Sequence, residues 1–273
     1  MEINHVEPYP QEAPSIVRRQ ARRGAYLLPS MLTVANMLCG FYAIFATLDG
    51  RLLDMDHASR AIGLAILFDS LDGRVARALG ANSEFGKEFD SLADVVSFGV
   101  APALLAYAWG IRGLPLSEAG LTAHIYQWGW IVSFVFLVAC AWRLARFNIH
   151  GMAPSGSGFF VGMPTPAAAG MLAALVHAFN APIQNLKWSI LLLVLMVGLA
   201  ALMSSRVRHY GFKNIRWERR QSSRILVVIA ALGAAIVFYS QITLLVIAAA
   251  YSSHGLVLEG ARMLRHRSAS RPA

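Results

Sequence analysis

The sequence predicts an all-α integral membrane protein, a polytopic bundle of about eight transmembrane helices. Three observations carry that reading. Hydrophobic residues make up 56% of the chain and charged residues only 14%, where a soluble domain carries roughly 25% charged. The mean hydropathy is +0.51. Apolar runs of about span length recur from residue 28 to residue 258.

The elements follow in order. Residues 1–24 are a polar, Pro-containing stretch and a basic segment with Arg18, Arg19, Arg22 and Arg23, and predict a mobile cytoplasmic tail. The basic segment and the run after it superficially resemble a signal peptide. That run is a full span long and lacks an A-x-A cleavage site, so it reads as a retained first helix. Candidate spans cover residues 28–48, 57–79, 88–110, 126–147, 165–180, 187–204, 223–239 and 241–258. The second is weak by hydropathy: its uninterrupted apolar run, Ala61 to Phe68, is half a span, and the helix is long enough only if Asp69 and Asp72 lie on it. The last two are nearly continuous, broken at Ser240-Gln241.

Charge separates the possibilities. The net charge is +9 and the pI about 10.1. On a membrane chain this reads as loop bias and attraction to anionic lipid headgroups, with no nucleic-acid partner. With the N-terminus cytoplasmic and eight spans, every basic residue except Arg51, Arg60, Arg112 and Lys187 falls on the cytoplasmic side. Merging the last two spans would send Arg262, Arg265, Arg267 and Arg271 across the membrane. Eight spans therefore predict both termini in the cytoplasm. Cys39 and Cys140 lie in apolar runs and read as small core residues.

One stretch contradicts the apolar pattern: "FDSLDGRVARALGANSEFGKEFDSLADVVSFGVAP", Phe68 to Pro102. It places Asp69 and Asp72 at spacing i, i+3 and Asp90 and Asp94 at i, i+4. Each pair shares a helix face. The short turn between them makes the two helices antiparallel neighbours, so four carboxylates converge at the cytoplasmic helix ends. Ionisable groups in a membrane are costly and mark function. Like charges this close call for a divalent cation, and an all-oxygen set selects hard ions such as Mg2+, Mn2+ or Ca2+. Gly73 and Ala76 leave room for a ligand, Arg77 suits phosphate oxygens, and Ser83 and Gly86 lie in the turn. The competing reading is an ion-pair cluster with Arg74, Arg77 and Lys87.

The pattern Asp69-x2-Asp72-Gly73-x2-Ala76-Arg77-x8-Gly86-x3-Asp90-x3-Asp94 resembles the CDP-alcohol phosphotransferase motif at every fixed position. The resemblance implies a metal-dependent membrane enzyme that moves a phosphatidyl or related group from a CDP-linked donor to an alcohol and releases CMP. It implies two divalent ions, Mg2+ or Mn2+, held by Asp69, Asp72 and Asp90 with help from Asp94, which also serves as general base. Gly73, Arg77 and Ser83 would contact the CDP-diphosphate, with Ala76 and Gly86 beside them. "LPSMLT", Leu28 to Thr33, resembles the family's Pro-Asn-x-x-Thr entry to the first helix, so Pro29, Ser30 and Thr33 join the CDP-diacylglycerol site; Ser30 stands where the family has Asn.

"DSLADVVSFGVAPA" (Asp90–Ala103), "RLARFN" (Arg143–Asn148) and "GMPTPAAAG" (Gly162–Gly170) resemble the phosphatidylserine synthase branch of that family. This implies L-serine as acceptor, with Arg143, Arg146 and Asn148 as its contacts; arginine suits the carboxylate that serine has and inositol or glycerol lacks. It also implies a homodimer in the cytoplasmic (inner) membrane of a bacterium. The chain then divides into a catalytic core of six helices (25–205), a basic cytoplasmic loop (206–224), two C-terminal helices (225–260) and a basic tail (261–273). Glycerol 3-phosphate or inositol phosphate is the alternative acceptor. A cation-coupled transporter is the alternative from another class, disfavoured because transporters place such carboxylates near the midplane.

The remaining features have plainer readings. "SGSG" (Ser155–Gly158) is a flexible loop. His150, His177 and His209 lack metal-ligand spacing. The loop Arg206–Arg224 meets anionic lipid. Trp128, Trp130, Trp142, Trp188 and Trp217 are interface anchors. Pro164 and Pro166 start the fifth helix.

Overall fold

The computed structural model describes residues 16–80, 83–114, 121–150, 159–179, 181–205, 208–210 and 240–253. Two long helices, α1 (Ile16–Asp49) and α2 (Leu52–Ala78), form the most extensive pair. A third rod follows in three parts: α3 (Glu84–Asp94), a π-helical turn (Val95–Val100) and α4 (Ala101–Gly110). Then come α5 (Leu121–His150), α6 (Thr165–Ala178), α7 (Leu186–Ser204) and α8 (Ser240–Ser253).

Among the described residues four helical segments are long and apolar enough to cross a membrane: Leu28–Asp49, Glu84–Gly110, His124–Ile149 and Leu186–Ser204. They coincide with the first, third, fourth and sixth expected spans. Helix α2 is one unbroken element that carries both Asp69 and Asp72. At 27 residues it runs roughly 40 Å, long enough to span, and its charges explain the weak hydropathy signal. Helix α6 is shorter than expected, 14 residues or roughly 21 Å. Pro164 caps it and Pro166 lies in its first turn, as the sequence predicts. The seventh expected span, the end of the eighth, residues 1–15, the C-terminal tail, "SGSG", Trp217 and the basic loop outside 208–210 lie outside the described residues, while the basic part of the expected N-terminal tail, from Ile16, is the helical start of α1.

The core of the bundle is apolar, but the large apolar side chains of α1 face outward. On α1, Met31, Val34, Leu38, Phe41, Phe45 and Leu48 recur at three- and four-residue spacing and are all exposed. Thr33, Asn36, Ala43 and Thr47 occupy the opposite face and are buried. Lipid chains solvate leucine as well as another helix does, so small and polar residues take the helix interfaces. Gly40 shows how close the approach is: a Cβ there would sit 2.6 Å from Ser97 Cα of the π-helical turn. Trp128, Trp130, Trp142 and Trp188 are exposed, in keeping with lipid-facing anchors.

One feature departs from the all-helical expectation, and one buried polar chain joins helices that the sequence does not link. Strand β1 (Phe159–Val161) pairs antiparallel with β2 (Arg208–Tyr210), with Phe160 opposite His209. The start of α6 and the end of α7 lie at one end of the bundle, where Met163 N–H donates to the Leu202 carbonyl. The flanking segments can therefore pair, and three residues each are too few to register as a period. His177 of α6 is buried and bonded on both ring nitrogens, Nδ1 to Asp56 Oδ1 (2.6 Å) and Nε2 to Ser240 Oγ (2.9 Å). Asp56 also pairs with Arg60 at 2.8 Å. This chain ties α2, α6 and α8 together.

Candidate functional site

The site is built where α2 ends and α3 begins. Leu79 closes α2 and Gly80 takes φ +61, a left-handed conformation that favours glycine, so the chain reverses. Ser83 then caps α3, its Oγ accepting the Gly86 N–H at 2.9 Å. With the helices antiparallel, carboxylate oxygens of Asp69, Asp72 and Asp90 lie within 4.8 Å of one another. Asp94, one turn deeper, is not part of that trio. Asp72 and Asp94 are buried, Asp69 and Asp90 half-buried.

Helix α1 supplies the back wall. Thr33 Oγ1 lies 3.1 Å from Asp72 Oδ2 and 3.2 Å from the Pro29 carbonyl oxygen, and its single proton serves one or the other. Asn36, one turn on, donates from Nδ2 to Asp94 Oδ1 at 3.0 Å, and its backbone carbonyl accepts from Ser97 Oγ at 2.9 Å. Sequence reasoning missed Asn36. A polar residue three beyond Thr33 in an apolar run was the signal for it.

The CDP-side candidates gather at the same end. Arg77 is exposed and folds back over Gly73, where an added Cβ would lie 3.4 Å from Nη1. Ala76 is on the same turn. Pro29 is buried and Ser30 half-buried, near the start of the membrane-competent part of α1. Ser83 is engaged as a helix cap, and a Cβ at Gly86 would come 2.9 Å from its Oγ.

The three acceptor candidates separate. Arg143 acts electrostatically on Asp69 and Asp94 without a direct ion pair, and its Nη1 lies 3.4 Å from Thr165 Oγ1. Arg146 donates from Nη1 and Nη2 to the carbonyls of Ser204 and Ser205, at 3.0 and 3.2 Å, at the end of α7. Asn148 donates to Glu88 Oε2 and Ser91 Oγ, and its carbonyl accepts from Lys87 Nζ, on the outer side of α3.

The donor chemistry fits a hard divalent cation. Among the described residues the ion pairs are those of Asp56 with Arg60 and His177, and none involves the four aspartates. Among the described residues no direct ion pair joins these aspartates to Arg74, Arg77 or Lys87, and Arg77 acts on Asp72 only at longer range. Asp90 Oδ1 is buried with no hydrogen-bond partner. A buried carboxylate oxygen without a donor is costly unless something positive meets it. Oxygen-only ligation from clustered carboxylates is what Mg2+ and Mn2+ take.

The CDP-alcohol phosphatidyltransferase family model matches residues 26–203. The chain belongs to that family. The match takes in every element of the site, from α1 to the end of α5, and stops before α8. Similar relatives in the phosphatidyltransferase family share one name, CDP-diacylglycerol–serine O-phosphatidyltransferase. The Mycobacterium leprae protein is 34% identical over 247 residues, 87% of this chain and 76% of the relative. The protein of Helicobacter pylori strain 26695 is 33% identical over 75% of this chain and 81% of its own. The Bacillus subtilis protein is 33% identical over 72% of this chain and 97% of its own.

Proposed function

We propose that this chain transfers the phosphatidyl group of CDP-diacylglycerol to the hydroxyl of L-serine, giving phosphatidylserine and CMP. The observation that carries the reaction type is the meeting of Asp69, Asp72 and Asp90 within 4.8 Å on a phosphatidyltransferase core. The acceptor follows the relatives' shared name.

In this reading Asp69, Asp72 and Asp90, with Asp94 adjoining, hold two divalent cations, Mg2+ or Mn2+. Bound there, the ions would neutralise charge on the diphosphate and on departing CMP. Thr33 steadies Asp72 from α1. Arg77, folded over the bare backbone at Gly73, meets phosphate oxygens, with Ala76, Ser83 and Gly86 beside it and Pro29 and Ser30 toward the nucleotide. Asp94 is the general base. Asn36 holds its Oδ1, which leaves Oδ2 to take the serine hydroxyl proton. The hydroxyl oxygen bonds to the phosphorus that carries diacylglycerol. The bond from that phosphorus to the bridging oxygen breaks, and its electron pair leaves with CMP. Asp94 is only 6% exposed, and so sheltered a base favours a bound alcohol over bulk water.

The basic-residue distribution supports eight spans with both termini and the site in the cytoplasm, and the bacterial origin of the relatives supports residence in a bacterial inner membrane. A homodimer is part of the same proposal, by family resemblance. The deciding experiment offers purified protein, CDP-diacylglycerol and Mn2+ or Mg2+ to L-serine, inositol, glycerol 3-phosphate and inositol phosphate, and measures CMP and lipid product. Product with serine alone is expected; product with another acceptor in its place overturns the assignment.

A further inference from the structure

Helix α8 lies beyond the family match, which ends at residue 203. Its residues sort into two faces. Gln241, Leu245, Ala248 and Ser252, at spacings of three and four, are half-buried, and the half-buried Ser240 and Tyr251 flank that stripe. Ile242, Val246 and Ile247 are exposed. One face of α8 is therefore laid along the bundle. Its direction follows from its two ends. Ser240 Oγ is 2.9 Å from His177 Nε2, near the end of α6. From His177 back to Thr165, α6 covers roughly 18 Å; from Ser240 to Tyr251, α8 covers roughly 17 Å. At that level Arg143 Nη1 lies 3.4 Å from Thr165 Oγ1, and Arg143 and Tyr251 act on each other electrostatically. The four points close. Helix α8 runs antiparallel to α6 and brings Tyr251 beside Arg143.

Arg143 has need of such neighbours. Its guanidinium is a permanent cation that acts electrostatically on Asp69 and Asp94. Among the described residues it forms no direct ion pair with either. A guanidinium that swung onto those carboxylates would take bidentate hold of oxygens that a divalent cation requires. Something must hold it back. Thr165 at the start of α6 and Tyr251 of α8 each offer a hydroxyl oxygen, an acceptor that a guanidinium N–H can use. Both are neutral, so they restrain the cation without adding charge to the site.

We propose that Tyr251 is a positioning residue: with Thr165 it holds the Arg143 guanidinium off Asp69 and Asp94, and so keeps their oxygens available to a cation. The inference rests on the reading that the aspartates hold a divalent cation. It adds that α8, outside the matched family core, helps to keep them able to do so. Removing the phenolic hydroxyl lets Arg143 compete with the metal for the carboxylates. Removing the guanidinium as well makes the hydroxyl irrelevant to metal binding.

The test is a double-mutant cycle read by Mn2+ binding to the purified full-length protein in detergent, without substrate, from the electron paramagnetic resonance signal of free Mn2+. Tyr251→Phe keeps the ring and removes the hydroxyl; it is expected to raise the Kd for Mn2+ about tenfold or more, as loss of an outer partner of a metal site does. Arg143→Gln is expected to bind Mn2+ at least as tightly as wild type, and adding Tyr251→Phe to it should change nothing. Equal weakening by Tyr251→Phe in both backgrounds means that the residue acts through packing alone, and overturns the inference. An unchanged Kd in the Tyr251→Phe single variant overturns it too, as does weaker binding by Arg143→Gln, since the guanidinium would then support the cation. Tyr251→Leu and Arg143→Met take their places if either variant does not fold. Wild-type protein that binds no Mn2+ overturns the metal reading itself, a result visible before any variant is made.

Discussion

Helix α2 carries a buried polar cluster near each end, roughly 20 Å apart, and the two are built in opposite ways. Near the start, Asp56 is matched by His177 and Arg60, and His177 in turn meets Ser240. Both ring nitrogens are used, and the chain of bonds runs across three helices. Near the end, Asp69 and Asp72 meet Asp90, and the described protein atoms leave oxygens and a guanidinium nitrogen unmet. Both clusters place ionisable groups among apolar helices. The difference is closure. A satisfied cluster fixes helix positions; an unsatisfied one holds its partners open for ligands.

That contrast can be broken by experiment. The largest expected effect is at the open cluster: chelation with EDTA should abolish CMP release, and Mn2+ or Mg2+ should restore it. Asp69→Asn should cost more than about 100-fold in CMP release, since even outer-shell partners of a metal site cost 10–100-fold. Full activity of that variant would remove the aspartates from the chemistry. Next, Asp94→Asn should lower turnover by about 10²–10⁴-fold, the usual contribution of a general base, while equilibrium binding of CDP-diacylglycerol persists. Loss of binding together with turnover would make Asp94 a structural ligand only. Thr33→Val should be milder, raising the half-saturating Mn2+ concentration by about 10-fold or more, as read from activity titrations. The smallest effect on catalysis should come from the closed cluster. His177→Ala leaves Asp56 short of a partner and should lower stability by about 2 kcal/mol, measured as a fall in the unfolding midpoint in detergent. CMP release per folded molecule should stay near wild type. A loss of activity without a loss of stability would mean that the two ends of α2 are not separate in role.

The open cluster was legible in the sequence because helical spacing is a local property. Asp69 with Asp72, and Asp90 with Asp94, needed only a period and a short turn to be paired, and the structure brings three of the four together. The closed cluster was not legible. Asp56, His177 and Ser240 lie far apart in the chain, on helices whose mutual rotation no local pattern reports. The same reason hid Asn36, whose partner is 58 residues away. Arg143, Arg146 and Asn148 form a single motif in the sequence, but which partners long side chains near a helix end reach is set by the packing of other helices, not by a local pattern. The fold sends Arg143 toward the aspartates, Arg146 to the end of α7 and Asn148 to the side of α3. Helix α2 shows the opposite failing of hydropathy: its charges hide a continuous 27-residue helix.

The π-helical turn from Val95 to Val100 has one more consequence. The Ala101 N–H donates to the Val96 carbonyl, five residues back where an α-helix would use four. One extra residue in a turn is a phase shift of roughly 100° between the helical segments on its two sides. Ahead of the shift, Asp90 and Asp94 face the first two helices; beyond it, Gly110 at the end of α4 is pressed so tightly on α7 that a Cβ there would overlap the Leu192 side chain. A single rod thus works as two keys cut at different angles on one shaft. Shortening that turn by one residue would leave composition, hydropathy and charge almost untouched. Either the carboxylates or the glycine seat would then be turned out of its lock, so the register of this rod is as much a determinant of the site as the identity of its aspartates.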